Sequence, residues 1–561
     1  MPVIKKSVTR EFLIAFLVTA LVLAITLNFG AVPISAQSGL VVVIGSDTTW
    51  TKADSPYNLT GPLLVNAGVT LTVESGVTVD LNGYHIRVDG ALCAKGNDVE
   101  TVRFVNCDEI DFTSSSIPWS EQDGSGCILE HVVLEDVTLS SNGSLKISNS
   151  NIIGEITVGA SSIIVKSTIK GRHFSSTSSL PYAISAGDSS VISDNTITGT
   201  DAQGQAYALY YDLCYAISVS GSCVISNNTI VGDVIGESST ISSNTITGTV
   251  KCSFAVISDN TLTGKISGVS CTIANNTIAG GEPTYDWGGR ANDSSSAISI
   301  RGDSSVISNN IISSPLGGYG ITLTEGYTHI FGNVIFDSIY GIRAAGGSTI
   351  EGNLITNNGK GIAIGHITFS GFNEYDYGAG NVVIRNNTIS NNTVGIGGGD
   401  GGSAVIENNL ITNSLTGISA SLPVTIQRNT ISNTTVAINL GNCSSITLSY
   451  NNIKNYAENS IYLTDTPNDI SAANNWWGTT DTQAINLTIH DSKYDFDLGT
   501  VSFTPFLTEP NSEAMPTSSP EFPSNFVIPE FPAWVILPLF LVVSLVAVFW
   551  SRMFGVRLQR S

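Results

Sequence analysis

The chain has 561 residues, with 24 lysine and arginine against 46 aspartate and glutamate side chains and a formal net charge of −22 at pH 7. That acidic excess excludes nucleic acid as a partner, because phosphate backbones are held by clustered cations. Charged residues make up only 12% of the chain while glycine alone fills 55 positions, a composition that excludes a coiled coil and fits a β-rich solenoid better than a helical globule.

At the N-terminus, Lys5, Lys6 and Arg10 precede an apolar run from Phe12 to Leu27, which is followed by the small residues Ser35 and Ala36. Basic, apolar and small in that order is the pattern of a secretory signal, so residues 1–36 are predicted to be a signal peptide cut after Ala36. Ile34 sits where a small residue is preferred, which leaves an uncleaved anchor as the alternative. Without its terminal segments the exported part carries 18 basic and 45 acidic side chains.

Residues 37–150 are predicted to form opening coils and 151–480 the main repeats of one architecture, because a single phrase recurs. It reads "VISDNTI" at Val191, "VISNNTI" at Val224, "VISDNTL" at Val256, "VIRNNTI" at Val383 and "TIQRNTI" at Thr425. The marked residues are Asn195, Asn228, Asn244, Asn260, Asn276, Asn310, Asn333, Asn353, Asn387, Asn409, Asn429 and Asn451, at spacings of 16 to 34 residues. A period near 20 that tolerates insertions marks a solenoid, in which each repeat buries its face only against its neighbours. Apolar residues alternate within each phrase, and a further Gly-Ile pair recurs between marks, as at Ile321, Ile342 and Ile362. Each unit is therefore expected to be one coil of about three short strands, stacked at ~4.8 Å into parallel sheets with inner columns of Ile and Val. Asparagine is expected at a corner, where it tolerates a left-handed backbone and where its amide pairs with the same residue one coil away.

The phrase resembles the repeats of right-handed parallel β-helix surface proteins, a group that includes carbohydrate-binding and sugar-hydrolase-type members and a related periplasmic copper-binding family. The resemblance spans about residues 60 to 480 and implies an all-β, right-handed parallel β-helix. Handedness also agrees with the general preference of parallel crossovers. "NNWWGTTD" from Asn474 resembles the closing element of such proteins, with Trp476 and Trp477 capping the last coil, so residues 481–507 are predicted as a cap.

Three insertions come after the marks at Asn195, Asn276 and Asn353 and are expected to project from one shared corner. They supply the candidate carbohydrate-binding residues Tyr210, Tyr211, Tyr285, Asp286, Trp287, Arg290, Phe372, Glu374, Tyr375, Asp376 and Tyr377. Aromatic faces beside carboxylates and amides suit sugar rings, and long loops on a rigid scaffold are where such sites are built. The competing reading is that these aromatics pack together over sheet edges. An enzyme would need two carboxylates, for which Glu374 with Asp376 or Asp286 are the candidates. No catalytic residue is assigned.

No cofactor is expected. Asp400 within "GGGDGGS" offers at most a weak calcium site, and a flexible turn explains it better. The six histidines are scattered, which argues against copper. Of the eight cysteines, Cys223 and Cys271 read as small buried thiols, while Cys93 with Cys107 or Cys107 with Cys127 are candidate bridges. Asn58, Asn142, Asn292 and Asn486 are sequons off the ladder and thus candidate glycosylation sites; Asn227, Asn275 and Asn386 carry sequons created by the repeat itself.

Residues 508–530 read as a Pro/Ser-rich tether and 531–561 as a transmembrane or sorting segment, with seventeen uncharged residues from Trp534 to Trp550 before Arg552, Arg557 and Arg560. The Pro-Glu-Phe motif at Pro529 to Phe531, the apolar run and the three arginines resemble the C-terminal sorting signals of archaeal surface proteins, which implies that the tail is processed. The sequence thus points to a cell-surface β-helix glycoprotein, anchored at its C-terminus, with a non-catalytic glycan-binding or envelope structural and adhesion role and with extracellular glycans or envelope components as partners. A polysaccharide hydrolase, lyase or epimerase using the insertions is the alternative.

Overall fold

The computed structural model describes residues 40–172, 182–201, 214–280, 296–324, 326–365, 380–399 and 402–517. Two compact units divide between Tyr210 and Tyr211. Both are stacks of coils, each coil made of three short strands that pair in parallel with the same strands of the neighbouring coils.

In the second unit one coil runs through Val224–Ser226, Thr229–Val231 and Asp233–Glu237. The "Val-Ile-Ser" and "Thr-Ile-Val" strands bury only their central isoleucine, the period-two pattern of a strand with one face inward. Stacking in register then turns each central residue into a column. The first strands align Ile225, Ile241, Ile257, Ile273 and Ile307 onward to Ile426 and Leu448, every one at most 2% exposed. Second strands align Ile230, Ile246, Leu262 and Ile278 in the same way, and third strands Val234, Val250, Ile266 and Ile298. These aliphatic columns are the core, and β-branched residues suit it because their stiff side chains pack on the pleat.

Corners between first and second strands carry the asparagines. Eleven of the twelve marked positions, Asn228 to Asn451, form an unbroken ladder in this unit, each buried. From Asn244 onward each Oδ1 accepts the backbone N–H and the Nδ2 of the asparagine one coil earlier, at 2.8–3.1 Å. Its Nδ2 also reaches back to a carbonyl of the previous coil, as Asn244 does to Ile225 at 2.9 Å. Asn475, which the repeat phrase does not mark, continues the ladder by accepting from Asn451 at 2.9 Å.

The conformational half of the expectation needs correction. The left-handed residue is not the ladder asparagine but the one before it: Asn227, Ser243, Asp259, Asn275, Asn309, Gly332, Gly352, Asn386, Asn408, Arg428, Tyr450 and Asn474 all have φ between 52° and 67°. The bend turns the next side chain inward, so one residue bears the backbone strain and its neighbour satisfies the buried polar groups. Position two of the pair is chemically restricted, whereas position one accepts even Arg428 and Tyr450.

Recurrent glycines before the third-strand isoleucines have a different cause. A Cβ on Gly361 would lie 2.6 Å from the Gly395 carbonyl of the next coil, and one on Gly395 would lie 2.5 Å from that of Gly417. Close approach of successive coils, not turn geometry, keeps these positions bare.

The first unit builds the same coil with other residues. Its first strands align Trp50, Val73, Ala94, Leu129, Ile147, Ile164 and Ile192, and its second strands Val79, Phe104, Leu134, Ile152, Ile169 and Ile197. Here serines supply the inner corner: Ser150 Oγ accepts the Val132 N–H and Ser167 Oγ the Ser150 N–H, both at 3.1 Å, before Asn195 Oδ1 accepts the Ser167 N–H at 2.9 Å.

Trp477 is 1% exposed and lies edge-on to Phe503, so it closes the last coil as expected, while Trp476 is half-buried. Within the cap, Thr482–Leu487 is a helix whose N-cap Asp481 accepts the Gln483 and Ala484 N–H groups. Asp491 is buried and accepts the Lys493 and Val501 N–H groups and the Lys493 ammonium at 2.6 Å. The expected tether does not leave the solenoid at 508. Asn511 exchanges hydrogen bonds with the Asn452 side chain, Glu513 O accepts from Asn408 Nδ2, and the Thr517 N–H reaches Asn386 Oδ1. Residues 511–517 thus run back along the corner column. Among the described residues no helix is long and apolar enough to cross a membrane; residues 1–39 and 518–561, with the signal and transmembrane expectations, lie outside them.

Two measurements probe these contacts. Asn333→Ala leaves the Asn310 N–H without its acceptor and the Ile307 carbonyl without its Nδ2 donor, which should cost about 1–3 kcal/mol per orphaned group; a denaturant titration of wild type and variant reads it. Burial pushes the Asp491 carboxyl up, but the Lys493 ammonium and the two N–H donors outweigh it and hold the group below the usual aspartate range. A depressed pKa contributes stability above the unfolded value of about 3.9 and loses it as pH falls through the folded value. Asp491→Asn should therefore flatten the acid limb of the pH–stability curve below about pH 4, followed by tryptophan emission.

Candidate functional site

All eleven candidate carbohydrate-binding residues, Tyr210, Tyr211, Tyr285, Asp286, Trp287, Arg290, Phe372, Glu374, Tyr375, Asp376 and Tyr377, lie outside the described residues, as do Asn292 and Asp400. Their flanking strands are described and locate where each insertion leaves the coil. Residues 202–213 and 281–295 come after second strands, Thr196–Thr198 and Thr277–Ala279, and lead into third strands, Cys214–Val219 and Ser296–Arg301. Residues 366–379 instead come after a third strand, Lys360–Ile364, and lead into the first strand Asn381–Arg385. The expectation of one shared corner is therefore wrong for the third insertion, because its Gly-Ile strand is completed before the extra residues begin.

This arrangement defines a patch inside the second unit. Ser296–Arg301, Tyr319–Leu323, Tyr340–Ala344 and Lys360–Ile364 are consecutive parallel third strands. The second insertion enters at the starting edge of the first of them, and the third insertion departs from the finishing edge of the last. The intervening residues are Tyr319, Tyr340 and Lys360 in register on one edge, with Thr322 and Arg343 further along.

Tyr319 and Tyr340 stack with ring centroids 5.2 Å apart and 6° between planes. Stacking results from the parallel register, which superposes identical side chains one coil apart. The Arg343 guanidinium lies 5.5 Å from the Tyr319 ring and the Lys360 ammonium 5.6 Å from the Tyr340 ring. Gly397 of the next coil makes room for the lysine stem, since a Cβ there would lie 2.8 Å from Lys360 Cδ. Burial lowers the Lys360 pKa, and no carboxylate among the described residues pairs with it. A half-desolvated ammonium without a counter-ion is a ready partner for an anion.

A groove of about 700 Å³ continues along the corner between second and third strands, lined by Asn391, Asn413, Asn433 and Asn455 with Leu415 and Tyr456. Asn391, Asn413, Asn433 and Asn455 are the left-handed residues of that corner, so their amides stand in a row one coil apart. Neither this groove nor the tyrosine stack was marked in the sequence. Tyr319 and Tyr340 are the residues just before the recurrent Gly-Ile pairs, a signal visible only once the third strands are aligned.

In the first unit a hollow of about 660 Å³ is bordered by Asn82, Asn106, Cys107, Asp108, Glu135 and Asp136. No three His, Cys, Asp or Glu side chains gather among the described residues in a way that would hold a metal ion. Of the off-ladder sequons, Asn58 and Asn142 are exposed and Asn486 is half-buried in the cap helix.

The expected bridges are not present: Cys93, Cys107 and Cys127 are free. Burial pushes the Cys107 thiol up to about 12 and the Cys127 thiol up to about 11, and their sulfurs point at the Glu109 and Gly90 carbonyls. Only the thiolate attacks an alkylating agent. Both cysteines should stay unmodified when native protein is treated with iodoacetamide at pH 8 and react fully in denaturant, as peptide mass spectrometry would read.

Residues 363–477 match the family model described as "right handed beta helix region". No curated protein matches the chain by sequence. Among solved structures, the chain is similar to a periplasmic alginate epimerase, at 12% identity and a TM-score of 0.24 over 73% of this chain and 84% of that one. It is similar to the A-module of a mannuronan C-5 epimerase from Azotobacter vinelandii, at 11% identity and a TM-score of 0.20 over 81% and 91%. A PL6 family alginate lyase shows 11% identity and a TM-score of 0.21 over 84% and 97%. Identities this low carry no activity over to this chain, whose own residues must decide it. The parallel three-strand coils and that matched segment give the chain the fold of a right-handed parallel β-helix.

Proposed function

We propose that the protein is an exported, surface-held β-helix that binds extracellular glycans, acidic ones in particular, without turning them over. The observation that carries this reading is Lys360: a half-buried ammonium with no carboxylate partner among the described residues, seated on the Tyr340 ring between the strands where the second insertion ends and the third begins. Against a chain of net charge −22, a positive group left uncompensated on a rigid sheet is suited to a sugar carboxylate or sulfate. The aromatic residues and the arginine of the insertions, Tyr285, Trp287, Arg290, Phe372, Tyr375 and Tyr377, are of the types that suit sugar rings and their acidic groups.

Binding rather than cleavage is favoured by the chemistry at hand. Hydrolysis by acid and base needs two carboxylates at a set separation. Asp286 belongs to an insertion that starts at a different corner of the coil from that of Glu374, and Glu374 with Asp376 has no support beyond lying two residues apart in one insertion. The secretory signal and the C-terminal apolar segment support a place at the outer face of the membrane, with envelope glycans as partners and Asn58, Asn142, Asn292 and Asn486 as glycosylation sites.

The test is a glycan array followed by calorimetry with Lys360→Met and Tyr340→Ala. Loss of a charge-assisted contact worth about 1.5–3 kcal/mol should weaken acidic glycans roughly 10- to 100-fold and spare neutral ones. Unchanged affinity in both variants, or release of shortened or unsaturated sugars from a polysaccharide panel, would remove this reading.

A further inference from the structure

Two cysteines from successive coils meet inside the second unit. Cys252 is near the end of Thr245–Ser253, Cys271 stands directly before Thr272–Ala274, and their Sγ atoms are 2.7 Å apart. Both are buried, at 5% and 1% exposure. The surroundings are shaped for this meeting. In its column Cys252 stands between Gly236 of the previous coil and Gly268 of the next. A Cβ on Gly268 would come within 2.3 Å of the Cys252 sulfur and 3.0 Å of the Cys271 sulfur, so the bare glycine is what lets Cys252 lean across to its partner. Such sulfur contact between side chains of adjacent strands is that of a pair poised for a bond.

We propose that Cys252 and Cys271 are joined as a disulfide in the exported protein. From Cys252 the chain makes one circuit to Gly268 and turns the next corner to Cys271, so the bond closes one coil and that corner into a covalent ring. Coils of a solenoid hold only their neighbours and open by peeling. The ring ties two adjacent coils together in a stretch where the repeat spacing is 16 residues and no insertion adds contacts. The oxidant is a disulfide, either an oxidised dithiol protein or an oxidised low-molecular-weight thiol. One of the two cysteines attacks first, while the coils are still open and its thiol is exposed. Its thiolate displaces one thiolate from the oxidant. The partner cysteine then gives up its proton and attacks the protein sulfur of the mixed disulfide, expelling the second. Two thiols become one disulfide, and two protons and two electrons pass to the oxidant, which leaves as two thiols. The bond forms as the coils close and is buried afterwards, so reductant reaches it only on unfolding.

The experiment uses the full chain purified from an oxidising compartment. It is denatured in iodoacetamide without reductant, digested, and examined by mass spectrometry. A linked peptide containing Cys252 and Cys271 is expected, 2 Da lighter than its separated parts. Native protein should keep the link in dithiothreitol and lose it in dithiothreitol with denaturant. Cys252→Ser and Cys271→Ser should each release the partner for alkylation. Reduction should lower the thermal midpoint of wild type by several degrees and leave that of the double variant unmoved. Alkylation of both cysteines in unreduced wild type, with or without release of a bound metal ion, overturns the proposal and requires no variant to fold.

Discussion

The second unit depends on the hydrogen bonds between asparagines one coil apart. A parallel solenoid must turn its chain inward at each corner, and that brings N–H groups and carbonyls into a core of isoleucine where water cannot serve them. An orphaned polar group there costs as much as several buried methylenes contribute, so the corner is where the architecture would fail first. The amide of asparagine meets the need because it accepts from the coil before and donates to carbonyls on both sides. In the first unit Ser150 and Ser167 perform part of this task with a single hydroxyl, which accepts one N–H; that of Ser150 meets its own coil's Ser148 carbonyl at 2.8 Å and the previous coil's Leu129 carbonyl only at 3.5 Å. The ladder sets the register, and the register sets which isoleucines meet.

Division of labour at the corner explains how the solenoid tolerates variation. Backbone strain falls on one residue, which points away from the core, and polar satisfaction falls on the next, which points into it. The outer position is thus free to carry chemistry. Asn386 and Asn408 use it to hold the tail at Thr517 and Glu513, and Asn391, Asn413, Asn433 and Asn455 use the equivalent position of the next corner to line a groove. A rigid repeat therefore presents a row of adaptable side chains at a fixed spacing, which suits long, repetitive ligands better than small compact ones.

Electrostatics separates one part of the surface from its surroundings. Several cations of the second unit are matched: Arg385 with Glu351 at 2.9 Å, Arg428 with Glu407 at 3.1 Å, Lys251 with Asp233 at 3.1 Å. Burial alone would raise the Glu351 carboxyl, yet Arg385, Asn386 and His329 hold it below its ordinary value. Lys360 bears the burial with no carboxylate of the described residues beside it, resting against an aromatic ring. A protein this acidic has no shortage of carboxylates, so a lysine on a stacked tyrosine pair that no carboxylate of the described residues meets is the feature of the face that most calls for a ligand.

The sequence by itself determined the coil. Ile225, Ile241 and Ile257 recur because each stacks on its own kind, and a fold in which residues meet their equivalents writes its contacts as a period. The three-strand unit, the inner columns, the asparagine corner and Trp477 at the end were legible for that reason. Tertiary structure alone decided what the period does not encode. Whether Asn228 or Asn227 takes the left-handed turn depends on which of two adjacent residues faces inward, and both are asparagine. The serine rungs, Asn475 and the docking of residues 511–517 depend on geometry shared by unlike residues. Where the insertions leave the coil, and that Tyr319 lies over Tyr340 and Cys252 against Cys271, depends on register summed across turns of unequal length, a distance in space that spacing along the chain does not measure.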